Sequence, residues 1–105
     1  MLNKLTNLIN LQSILEENED WQSPTHYLIT ESFPVNGLRQ YELYNLTCEI
    51  SDNMIMFHDA EDFLQEDCTR VLNMFPISSV LKVIILENHY VIVFESGDIK
   101  IEVIE

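Results

Sequence analysis

The chain has 105 residues, 18 of them acidic and 5 basic, for a formal net charge of −13 at pH 7. With 47% hydrophobic residues it is not a disordered acidic tail, which lacks the apolar surface to fold, and its length suits one domain over residues 1–105. Five basic residues cannot neutralise a phosphate backbone against 18 carboxylates, so direct binding to nucleic acid is excluded.

Leu2, Leu5, Leu8, Ile9, Leu11, Ile14 and Leu15 recur at three- and four-residue spacing and predict an amphipathic helix over residues 2–17. Polar residues Asn3, Lys4, Thr6, Asn7 and Asn10 interrupt the apolar ones, so the stretch does not read as a signal peptide. No window approaches the ~18 apolar residues of a membrane span, and the expectation is a cytoplasmic protein. Glu16, Glu17, Glu19 and Asp20 oppose the helix dipole, so fraying is expected there, followed by a loop with Trp21 at its centre.

His26 to Glu31 reads as a strand ending at Phe33-Pro34, and Asn36-Gly37 as a type I′ hairpin turn. The return strand, Leu38 to Ile50, changes apolar phase. Tyr41 and Leu43 lie on odd positions, whereas Tyr44, Leu46, Cys48 and Ile50 lie on even ones, which requires a bulge near residue 43 or a break in two. Ser51-Asp52-Asn53 reads as a turn before a strand from Met54 to His58.

Asp59 stands at an N-cap position with Asp62 three residues on, and Phe63, Leu64, Cys68, Val71, Leu72 and Phe75 form a stripe that Pro76 ends. A second helix is therefore predicted over residues 60–75. The β-branched runs Val80 to Leu86, Tyr90 to Glu95 and Ile99 to Ile104 predict an antiparallel meander, its last strand a candidate sheet edge. The order α-β-β-β-α-β-β-β implies an α+β domain, one mainly antiparallel sheet with two helices packed on one face.

Two acidic groups stand out. From Gln40 to Thr69 there is no Lys or Arg, and Glu49, Asp52, Asp59, Glu61, Asp62, Glu66 and Asp67 lie within that stretch. Glu16, Glu17, Glu19 and Asp20 surround Trp21, a residue type enriched at interface hot spots. The plain alternatives are a solvated helix face for the first group and a tryptophan that staples the first helix for the second.

Cys48 and Cys68 read as buried thiols rather than a disulfide, and the Asn45-Leu46-Thr47 sequon as accidental. The two glycines are both used in turns, leaving none for a phosphate loop or a nucleophile elbow, so no enzyme activity and no cofactor are expected. His26, His58 and His89 are scattered.

These features point to a protein-binding inhibitor whose partner is a basic protein. The sharpest form is a bacterial immunity protein or antitoxin covering the substrate surface of a toxin nuclease, as a monomer or homodimer away from any membrane. The alternatives are a phage-encoded DNA mimic and a small metal-binding module or enzyme built on His58, Asp59, Glu61 and Asp62.

Overall fold

The computed structural model describes residues 4–20, 22–35, 37–59 and 71–104, with Asp59, Val71 and Leu72 described at the backbone. Helix α1 spans Lys4–Asn18, and its buried side Leu8, Leu11 and Leu15 follows the predicted spacing. The acidic end does not fray before Asn18. Glu19 N–H donates to the Glu16 carbonyl and the Thr25 hydroxyl caps the Asn18 carbonyl, so two orphaned acceptors are satisfied.

Strands β1 (His26–Phe33) and β2 (Gly37–Tyr44) form the expected hairpin, but its loop holds three residues, because Phe33 pairs with Gly37. Asn36 lies outside the described residues, and Gly37 stands in the ladder rather than in a two-residue turn. That arrangement occurs one hairpin later, between β3 (Leu46–Ser51) and β4 (Met54–Asp59), where Ser51 pairs with Met54. Asp52 and Asn53 both have positive φ there (52° and 63°), the geometry of a type I′ turn.

The change of apolar phase resolves as a break. Asn45, at φ 55°, turns the chain out of β2 and into β3. Leu43 is buried before the corner, and Leu46 and Cys48 after it, whereas Tyr44 is exposed instead of continuing the even-numbered set.

The second predicted helix is corrected over its latter part. Val71–Pro76 is strand β5, paired antiparallel with β4, with Ile55 opposite Phe75 and Met54 opposite Pro76. Pro76, expected to end a helix, instead ends this edge strand, where no ladder N–H is lost. Asp59 pairs with Leu46 at the end of β4. Residues 60–70 lie outside the described residues, so α1 is the one α-helix described.

A single 3-10 turn at Ile77–Ser79 leads into the meander β6 (Val80–Ile85), β7 (His89–Phe94) and β8 (Gly97–Ile104). The strands form two sheets rather than one: β2-β1-β8-β7-β6 and β3-β4-β5. Strand β8 lies between β1 and β7, so it is interior and not the free edge its position in the chain suggested.

Helix α1 packs on β3 of the small sheet and β6 of the large one, and its leucines share one core with Tyr27, Ile55, Ile92 and Ile101. The result is an α+β domain with mainly antiparallel sheet. No helix among the described residues is long and apolar enough to cross a membrane.

Candidate functional site

Trp21, Glu61, Asp62, Glu66 and Asp67 lie outside the described residues. The acidic residues that are described separate into different roles. Glu16 and Glu17 are exposed at the end of α1. The Asp20 carboxylate accepts hydrogen bonds from the Gln22 and Ser23 backbone N–H groups at 2.9 and 3.1 Å, so it builds the loop after the helix. Asp52 makes the β3–β4 turn.

Glu16 and Glu49, one from each sequence cluster, both act on Cys48. That thiol is free, buried and pushed up to about 12, first by burial and then by these two carboxylates. Helix α1 packs on β3, and Gln12 Nε2 fastens the two by donating to the Cys48 carbonyl at 3.1 Å. Glu49 is also engaged with the buried His58, Oε2 to Nε2 at 3.2 Å.

A second constellation went unread in the sequence. In β1, Tyr27, Ile29, Glu31 and Phe33 share one phase, and Glu31 is buried with the first two at 6% exposure. An isolated buried carboxylate is costly unless hydrogen-bonded, and two other strands supply its partners. Tyr41 of β2 donates its hydroxyl to Glu31 Oε2 at 2.5 Å. Asn73 of β5 donates Nδ2 to the same oxygen at 2.7 Å and lies 3.3 Å from the Tyr41 hydroxyl.

Arg39, directly across the ladder from Glu31, places Nη1 4.0 Å from Oε1 and its guanidinium carbon 5.0 Å from the Tyr41 ring centroid. The Tyr41 hydroxyl is pushed well above its ordinary range by burial and then by Glu31, so it serves as a fixed donor. An acidic residue on the apolar phase of a strand was the sequence signal available for this site. Asn73 carried none, because it was assigned to a helix.

Glu31 and Asn73 also face a cleft of about 270 Å³ walled by Phe33, Val35, Met74 and Phe75. The Phe33 and Phe75 rings lie 18° from parallel with centroids 5.6 Å apart. This cleft sits where β1 of the large sheet meets β5 of the small one, so it exists only because the two sheets pack together. Its chemistry is an anionic floor under an aromatic and aliphatic wall, suited to a cation with an apolar stem.

Among the described residues no three His, Cys, Asp or Glu side chains group as a metal site. Compared with known proteins, the chain matches no family model, no curated protein and no solved structure.

Proposed function

We propose that the protein binds a basic protein and inhibits it, in its sharpest form as a bacterial immunity protein or antitoxin that covers the substrate surface of a toxin nuclease. The observation that carries this reading is the unbalanced charge on a folded scaffold. The net charge is −13, and among the described residues Lys and Arg make two ion pairs with carboxylates, Arg39–Glu31 and Lys100–Glu102. Among the described residues, Glu16, Glu17 and Asp52 make no ion pair with Lys or Arg. A nuclease cleft is positive because it binds phosphate, so an anionic surface complements it, and such complementarity speeds association.

Affinity capture from the native host, identification of the captured protein and binding kinetics at low and high salt test the proposal. A basic nuclease should be captured, with association that slows as salt rises. Charge reversal by Glu16→Lys with Glu17→Lys, or by Asp62→Lys with Glu66→Lys, should slow it further. A neutral or acidic partner, or kinetics that ignore both salt and charge reversal, overturns the reading. Capture of a host DNA-binding defence protein would favour DNA mimicry instead.

A further inference from the structure

We infer that the cleft between β1 and β5 is a recognition pocket for one arginine side chain of the partner, with the Glu31 carboxylate as its anionic end. The inference deepens the proposed function and rests on its reading of the partner as a basic protein.

Four observations converge on it. The cleft is about 270 Å³, room enough for one side chain. Glu31 Oε2 is held by Tyr41 and Asn73, which keep the carboxylate in place, whereas among the described residues Oε1 has Arg39 at 4.0 Å and no closer side-chain donor. That arrangement leaves one preorganised acceptor with spare capacity, and a preorganised group loses little freedom when it binds.

The walls favour guanidinium over ammonium. Phe33 and Phe75, stacked on one another, form part of the wall, and an aromatic wall suits a delocalised guanidinium better than a lysine ammonium, a compact, strongly hydrated point charge. The protein already shows the pairing within its own chain, since Arg39 approaches the same carboxylate beside the Tyr41 ring. Arg39 is largely exposed and does not line the cleft, whose walls come from residues of β1 and β5 with Val35 and Ser96.

The test titrates N-acetyl-arginine amide into the protein and follows the backbone amide shifts of Val35, Met74 and Ser96 at the cleft. N-acetyl-norleucine amide, with a similar stem and no charge, is the control. Saturable shifts confined to the cleft are expected from the arginine probe and not from the control. Glu31→Gln keeps an acceptor for Tyr41 and Asn73 but removes the charge, and should weaken the probe about tenfold or more.

Met74→Lys, at an exposed position, tethers a competing cation at the cleft mouth and should weaken it without touching Glu31, which keeps the test alive if Glu31→Gln unfolds. Equal shifts from both probes, or undiminished binding in a folded Glu31→Gln, overturn the pocket. Probe binding together with a non-basic captured partner would leave the pocket standing and remove the proposed function. A basic partner with no probe binding would do the reverse.

Discussion

Gly97 and Gly37 look alike in the sequence, each following a turn residue, yet their surroundings differ. A β-carbon on Gly97 would lie 2.2 Å from the Ser32 carbonyl oxygen and 2.6 Å from Phe33 Cδ1, at φ +152°. On Gly37 it would meet nothing within 4 Å, leaving only the strain of φ +74°. Gly97→Ala must displace the β1 backbone and should cost about 2–5 kcal/mol, whereas Gly37→Ala should cost about 1–2 kcal/mol. Urea denaturation of the two variants checks the ranking, and equal losses would mean that β1 yields easily at Ser32.

Cys48 gives a second expectation at this scale. Its folded pKa is raised, so the fold favours the protonated thiol. That contribution is complete below the ordinary value of 9.0 and is lost as pH rises toward about 12. Stability should therefore fall through that window, and Cys48→Val should flatten the slope. Tyr41, raised from 10.0, adds a fall in the same direction at the alkaline end. Thiol reagents near pH 8 should label Cys48 only when the protein opens.

At the scale of elements, the corner at Asn45 joins three pieces of chain. Asn45 is 1% exposed. Its Oδ1 accepts from the Asp20 and Thr25 N–H groups at 3.2 and 3.1 Å, its Nδ2 donates to the Asp20 carbonyl at 3.0 Å, and its own N–H donates to the Thr25 carbonyl. The same bonds withdraw the Asn45-Leu46-Thr47 sequon from any modifying enzyme in the folded state. Asn45→Ala would leave these backbone groups without partners at a residue with φ 55°, and should cost about 2–4 kcal/mol. Thermal unfolding would show it, and Asn45→Gly, which relieves only the φ strain, should recover little.

The break was legible because strand side chains alternate with period two, so a change of apolar parity must be accommodated somewhere. Strand β5 was not legible. Val71, Leu72 and Phe75 satisfy helical spacing as well as they satisfy a short strand, and only pairing with β4 selects the extended form.

For the molecule as a whole, charge is the dominant global property. Like charges repel within the compact state, and salt screens exposed charges over roughly 10 Å at 0.1 M. Raising sodium chloride from low to physiological strength should therefore raise the melting temperature. A flat response would mean that the carboxylates are already spaced beyond mutual influence. The same salt should weaken capture of a basic partner, so stability and affinity are expected to move in opposite directions.

Composition and periodicity alone carried the anionic character, the α+β class, helix α1, the β1–β2 hairpin, the need for a bulge or a break within Leu38 to Ile50 and the β6–β8 meander. All of these rest on local chemistry: charge, alternation, and turn residues that accept positive φ. Tertiary contact decided the rest. The division into two sheets, the interior place of β8, the strand at Val71–Pro76 and the influence of Glu16 on Cys48 all depend on residues far apart in the chain. The Glu31 cluster is the sharpest case, since Tyr41 is 10 residues from Glu31 and Asn73 is 42. A charge on an apolar strand face can be seen locally, but its donors arrive only through pairing and packing: Tyr41 from the paired strand β2, and Asn73 when β5 packs against β1.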